Sequence, residues 1–263
     1  MADARLRRMR FVLGRTWPVL CSVLLLPGCG GESGEAQSAP AARAASSLPP
    51  PGTESRQDVF DLRQIGVNEG SVMTAAIGVV DFSDFGCIYC ANFHNADYPA
   101  LHDEFVTSGD VLWKYVPISI GGFPNGDLAG LTGICADEIG RTEGFARMRD
   151  HLFVQREEWL ASPPDGAREV FVSYAEELGF DPDAFTACLD GEAASARLTR
   201  NNNVAHQVGV TATPTFIVQG SPVRGAPPLA DFQNVLRRLV AESRGDPLPT
   251  GDPAGAGPGA PDA

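Results

Sequence analysis

The apolar positions divide the chain into segments of different period. Ala76 to Phe82 is an apolar run of strand length, and Val111 to Pro117 is a second. Between them Ile88, Ala91, Leu101 and Phe105 recur at helical intervals, with Pro99 set to kink or break the helix, and Ser108-Gly109-Asp110 turns the chain. The pattern predicts a strand, a helix and a strand joined by a right-handed crossover, and hence two parallel strands. A weaker strand signal, Phe60 to Val67, precedes them.

From Gly121 to Gly209 the spacing is helical for most of its length. Phe145, Met148, Leu152 and Trp159 share one face, and Val170, Phe171, Tyr174, Ala175 and Leu178 share another. Gly179 is placed to cap the end of that second helix, and Asp181-Pro182 supplies an N-cap and a first residue for the next. This predicts a helical subdomain. After it, Thr215 to Gln219 reads as a strand, Gly220-Ser221-Pro222 as a turn, and Val223-Arg224 as the start of a partner strand. Leu229, Phe232, Val235, Leu236, Leu239 and Val240 mark an amphipathic closing helix.

Composition adds two tails to this picture. Gly, Ala and Pro concentrate at both ends, whereas aromatic and branched residues lie between about Val59 and Val240. Residues 58–244 are therefore expected to form one domain, with residues 29–57 a flexible tether and 245–263 a disordered tail. Residues 1–28 have the form of an export signal: Arg5, Arg7, Arg8, Arg10 and Arg15 precede an apolar stretch, Trp17 to Leu26, shorter than the roughly 18 residues that span a bilayer. The signal ends in Leu26-Pro27-Gly28-Cys29, which resembles the lipobox of bacterial lipoproteins and makes Cys29 the candidate lipidation site. A plain secretory signal and an uncleaved anchor are the alternatives.

The whole chain has 20 basic and 33 acidic residues, a net charge of −13. Removal of the signal takes away five arginines and Asp3 and leaves 15 basic against 32 acidic residues, a net −17. Such an excess excludes nucleic acid or an anionic membrane surface as a partner bound through charge.

Four cysteines then remain, Cys87, Cys90, Cys135 and Cys188. Pairing the two close ones and the two distant ones is the simplest solution in an oxidising compartment. Cys87-Ile88-Tyr89-Cys90 falls where the strand gives way to the helix, so the helix start favours a thiolate on Cys87, with Cys90 as the more buried resolving thiol. A structural zinc site would need two more ligands, and a disulfide closing so short a loop contributes little stability. Cys135 and Cys188 form the candidate structural disulfide; a second redox relay would need a short-spaced partner for each.

Three further positions bear on this pair. Asp81, at the end of the strand, is either a buried proton acceptor for Cys90 or a strand-end carboxylate facing solvent. Thr213-Pro214 precedes a strand; taken alone the residues favour an ordinary trans proline. His94, His102, His151 and His206 lack metal-ligand spacing, and His94 is expected on the helix surface.

Together Val80-Asp81-Phe82-Ser83-Asp84-Phe85, Cys87-Ile88-Tyr89-Cys90 and Gly209-Val210-Thr211-Ala212-Thr213-Pro214-Thr215-Phe216 resemble the DsbA-like thiol-disulfide oxidoreductases of the thioredoxin superfamily. The resemblance covers about Val72 to Val240. It implies an α/β thioredoxin fold with an inserted helical subdomain at about 121–209, a cis-proline at Pro214 beside a substrate-binding Thr213, and a buried acid at Asp81. Members commonly carry Pro and then His or Tyr between the cysteines, where this chain has Ile88 and Tyr89.

The expected protein is an exported thiol-disulfide oxidoreductase without cofactor or metal, lipid-anchored on the periplasmic side of a bacterial envelope. Its expected partners are cysteine-containing envelope proteins and a membrane redox partner, with oxidation as the expected direction. A reductase or isomerase would use the same residues, and a non-catalytic envelope protein holding peptides or copper is the rival from another class.

Overall fold

The computed structural model describes residues 65–248. The signal of residues 1–28, Cys29, the tether of 29–57 and the tail beyond 248 lie outside the described residues.

Five strands form one mixed sheet: β1 (Val67–Glu69), β2 (Ile77–Ser83), β3 (Val111–Pro117), β4 (Thr215–Val218) and β5 (Ser221–Arg224), in the spatial order β1-β3-β2-β4-β5. The central pair, β2 and β3, is parallel, as the crossover between them requires, and the remaining pairs are antiparallel. Residues 60–64 of the predicted first strand lie outside the described residues, and the described strand β1 runs past Val67 to Glu69. Its register is set by pairing with β3 rather than by a hydrophobic run, for its members are Val67, Asn68 and Glu69. The turn before β5 is also shorter than predicted: Gln219 and Gly220 alone make it, both with positive φ (49° and 84°), and Ser221 and Pro222 already pair with Val218 and Ile217. Pro222 is tolerated because β5 is an edge strand.

The crossover helix runs without a break through α1 (Ile88–Asn92), a π-helical turn (Phe93–Asp97), α2 (Tyr98–Leu101) and a second π-helical turn (His102–Val106). Pro99 stands in the first turn of α2, so the wider turn before it takes up the proline ring and the missing N–H, and the helix continues.

The helical subdomain consists of α3 (Gly126–Val154), α4 (Arg156–Ala161), α5 (Pro164–Glu177), α6 (Pro182–Leu189) and α7 (Glu192–Gln207), and α8 (Leu229–Arg244) closes the domain. Both predicted caps are present. Gly179 turns the chain at φ 81° while Phe180 N–H donates to the Ala175 carbonyl, and the Asp181 carboxylate accepts from Ala184 N–H at 2.8 Å. Helix α3 changes direction at Arg141, whose φ of 56° is not helical.

The core lies on both sides of the sheet. One side packs Phe93, Leu101, Trp113, Phe216, Phe232 and Leu236 between the sheet, the crossover helix and α8. The other packs Phe82, Val116, Val204 and Ile217 under α7. A third cluster runs from Phe85 and Tyr115 through Phe145, Met148 and Leu152 into the helical subdomain and includes both Cys87 and Cys90. A polar seam crosses this packing. Arg149 of α3 pairs with Glu69 of β1, Tyr98 donates to Glu69 at 3.0 Å, and the guanidinium lies 4.7 Å from the Tyr98 ring centre. Arg149 and Glu69 are both buried, so each compensates the other's charge.

Candidate active site

At the end of β2 the buried run stops and the chain must leave the sheet. Asp84 organises that exit: its carboxylate accepts from Gly86 N–H at 2.9 Å and from Ile120 and Gly121 N–H at 3.1 Å each. One side chain thus fastens the turn before Cys87 to the segment after β3. Burial pushes the Asp84 carboxyl up, while the three N–H donors hold it down. Gly86 is the residue this turn requires, since a β-carbon there would come within 2.4 Å of the Phe123 ring. Its carbonyl accepts from Nε and Nη2 of Arg156 at 2.9 and 2.6 Å, which ties α4 to the same turn.

Cys87 is the N-cap of α1, with extended backbone at φ −78° and ψ 123°. Its thiol donates to the Thr213 carbonyl at 3.3 Å, and the Thr213-Pro214 bond is cis. Residues read singly favoured a trans bond; the resemblance implied this one. Hydrogen bonds to the Cys87 sulfur from the Cys90 thiol, the Thr213 side chain and the N–H groups of Cys90 and Tyr89 lower its pKa to about 5, against the opposing effect of burial. Burial pushes the Cys90 thiol well up, as do its contact with Cys87 and the charge of Asp81. The two thiols are therefore driven apart, one toward thiolate and one toward thiol. Both sulfurs are enclosed, Cys87 slightly less than Cys90: the residues are 5% and 0% exposed. Ile88 and Tyr89, which follow Cys87 in the chain, and Ile120 are exposed apolar side chains.

Asp81 is fully buried, which removes the solvent-facing alternative. Its carboxylate is engaged by Ser83 Oγ, which donates at 2.6 Å, and by His94 Nε2 at 2.9 Å; its influence on Cys90 is through charge. His94 is not on the helix surface. It is 4% exposed and stacked on Phe153 at 4.9 Å, because the crossover helix turns that face toward β2 and α3. The signal was available in the spacing: His94 follows Cys90 by four residues, one helical turn, and so shares its inward face. Asp84 was legible as well, as an Asp two residues before a Gly, the pattern of an Asx turn. Arg156 had no signal, being brought in by the tertiary fold.

Cys135 and Cys188 are joined, α3 to α6, with Cα atoms 5.8 Å apart. Among the described residues no group of three or more His, Cys, Asp or Glu side chains is placed to hold a metal.

A family model described as thioredoxin matches residues 70–238. Among curated proteins, disulfide bond formation protein D of Bacillus subtilis is 21% identical over 177 residues, 65% of this chain and 74% of that protein. A Na(+)/H(+) antiporter NhaA of Herminiimonas arsenicoxydans is 33% identical over 172 residues, 65% of this chain but 25% of the antiporter. A putative protein-disulfide oxidoreductase of Rickettsia conorii is 26% identical over 143 residues, 54% of this chain and 49% of that protein. The chain thus spans a quarter of the antiporter and about half of the rickettsial relative. Of solved structures, Wolbachia pipientis alpha-DsbA1 aligns with a TM-score of 0.60 at 17% identity, covering 70% of this chain and 97% of that one. BdbD of Bacillus subtilis aligns with a TM-score of 0.55 at 18% identity, covering 66% and 92%. The shared fold is the thioredoxin fold with a helical insertion.

Proposed function

The chain belongs to the thioredoxin family, and on that footing we propose that it is a protein thiol-disulfide oxidoreductase working through Cys87 and Cys90, as an oxidant. The observation that carries this reading is the opposed poise of the two sulfurs at one helix start: Cys87 held toward thiolate, Cys90 buried behind it as thiol, and the Thr213 carbonyl facing the first. In the oxidising direction a substrate thiolate attacks Cys87 of the disulfide, Cys90 leaves with the electron pair, and a mixed disulfide joins substrate to Cys87. A second substrate thiol then displaces Cys87 as the leaving thiolate. Reduced Cys87 and Cys90 return to the disulfide by passing two electrons to an external acceptor, for which a membrane redox partner is the candidate. Thr213 and Pro214 form the wall against which an extended peptide lies, and Asp81 supplies buried charge beside Cys90.

Export, anchoring through Cys29 and substrates among envelope proteins belong to the same proposal, supported by residues 1–29 of the sequence and by the names of the disulfide-forming relatives. The antiporter's transport is not carried over; no helix among the described residues is long and apolar enough to cross a membrane.

The pH dependence tests the poise directly. Cys87 titrates near pH 5 in the folded, reduced protein, against an ordinary value of 9.0. A depressed folded-state value stabilises the reduced form at high pH: the contribution is complete above about pH 9, shrinks as pH falls, and is lost through about pH 5. Cys90, raised instead, opposes this only toward the top of the window, where the unfolded thiol with its ordinary value of 9.0 begins to ionise and the folded one does not. The alkylation rate of Cys87 is therefore expected to hold down to about pH 5. The reduction potential is expected nearer the roughly −120 mV of a strong dithiol oxidant than the roughly −270 mV of thioredoxin. A potential near the second value would turn the reading to a reductase.

A further inference from the structure

Between β1, the crossover helix and α3 lies a cleft of about 410 Å³, lined by Glu69, His94, Asn95, Tyr98, Arg149 and neighbouring residues. Its outer edge carries three exposed or half-exposed polar side chains, His102, Asp103 and Asp150. His94 is the residue that joins this cleft to the interior of the site. Its Nε2 meets Asp81 Oδ2 at 2.9 Å, while its Nδ1 is buried and has no hydrogen-bond partner in the protein. A buried ring nitrogen without a partner is uncommon and marks a place where a small polar ligand, water above all, completes the bonding.

The thiol chemistry proposed above needs a proton source for the buried Cys90. When Cys90 leaves as a thiolate it is fully buried, and burial holds its pKa high, so it must take up a proton. The Asp81 carboxylate lies beside it, but Ser83 and His94 occupy that carboxylate, and Asp81 itself is 0% exposed. Cys90 and His94 are four residues apart and both buried; His94 meets Asp81 of β2 directly, and the charge of Asp81 acts on Cys90.

We propose that His94 is the proton carrier between the cleft and the Asp81–Cys90 interior, a positioning and proton-transfer residue for disulfide opening and closing. The proposal rests on the thiol-exchange reading of Cys87 and Cys90. In the opening step the Cys87–Cys90 bond breaks, the substrate sulfur bonds to Cys87, and Cys90 keeps the electron pair. The Asp81–His94 pair gives a proton to Cys90, and His94 takes a replacement at Nδ1 from water in the cleft. Re-formation of the disulfide returns a proton from Cys90 to the pair, and His94 releases one to the cleft. Each cycle thus moves one proton in and one out, with no net change.

The groups facing His94 from its surroundings are few. They are Asp81 from β2, Glu69 from β1, Tyr115 from β3, Arg149 from α3, and Cys90 and Tyr98 from its own helical run. Glu69, Arg149 and Tyr98 are bound to one another, which leaves Asp81 as the direct partner of the ring. Phe153 stacks on the ring and fixes its plane, so both nitrogens keep their directions.

Two measurements test this on the full chain. The ¹⁵N shifts of the two His94 ring nitrogens at neutral pH are expected to differ between the oxidised and reduced protein, because the transfer leaves the ring proton on Nδ1 once Cys90 is a thiol and on Nε2 while Cys90 is in the disulfide. Identical ring-nitrogen shifts in the two states would overturn the proposal, whatever the substrate is. His94→Gln keeps a donor to Asp81 but cannot pass a proton on. Its single-turnover opening of the Cys87–Cys90 disulfide by a thiol peptide is expected to slow by roughly 100-fold, the low end for a positioned proton donor. An unchanged rate in His94→Gln, with wild type active and Cys87→Ser dead, removes His94 from the path. Inactive wild type would instead count against the thiol-exchange reading itself.

Discussion

Cys87→Ser loses disulfide exchange with a thiol peptide by roughly 1,000-fold or more, within the range that removing a nucleophile costs in other enzymes. A serine hydroxyl has no accessible anion, and no other described cysteine can stand in: Cys90 is buried behind it and Cys135 and Cys188 are bonded to each other. Cys90→Ser behaves differently. The serine hydroxyl can still donate to the Cys87 sulfur, so the thiolate persists, attacks a disulfide substrate and remains joined to it, a product visible by mass. Cys90→Ala removes the donor that contributes most to lowering the Cys87 pKa and is expected to shift its alkylation midpoint upward from about 5. A Cys87→Ser protein that retains exchange would end the enzyme reading, and the alternative of a non-catalytic binding protein would take its place.

Replacing Cys135 and Cys188 together by alanine destabilises the protein by roughly 4 kcal/mol, the chain-entropy value for a closed loop of this length. The bridge ties α3 to α6 across 53 positions, and Cys135 is wholly buried in the cluster that also holds Phe145 and Phe180. For a domain of this size that loss corresponds to a melting temperature lower by roughly 8–16 °C, read by calorimetry. Where the variant is still folded, its exchange rate is expected to match the wild type, since the bridge is a crosslink of the helical subdomain. A loss of exchange at full stability would mean instead that Cys135 and Cys188 relay electrons, and a melting temperature unchanged within error would exclude the structural role.

The parts of the site that the chain displays locally were readable one residue at a time. The Cys87-to-Cys90 spacing, the strand before it and the helix after it are adjacent in sequence, and local hydrogen bonds build the N-cap geometry. His94 shows how a local pattern is misread. Its position four residues after Cys90 already fixed its direction, but a histidine in a helix with Asn92 and Asn95 beside it looks like surface until α3 is packed over it. The continuation of the first strand past Val67 to Glu69 was hidden for the opposite reason, because those residues carry little apolar period and their pairing with β3 sets the register.

The sequence by itself determined the strand-helix-strand unit, the helical subdomain with its caps at Gly179 and Asp181, and the reactive pair at the helix start, because periodicity and capping act within a few residues. Only the tertiary structure decided what surrounds that pair. Thr213 reaches Cys87 from 126 residues away, Arg156 clasps the Gly86 carbonyl from 70 away, and Asp84 captures the N–H groups of Ile120 and Gly121. Asp81 and His94 find each other between a strand and a helix. Contacts of that kind depend on where burial drives whole elements, and no local pattern encodes them.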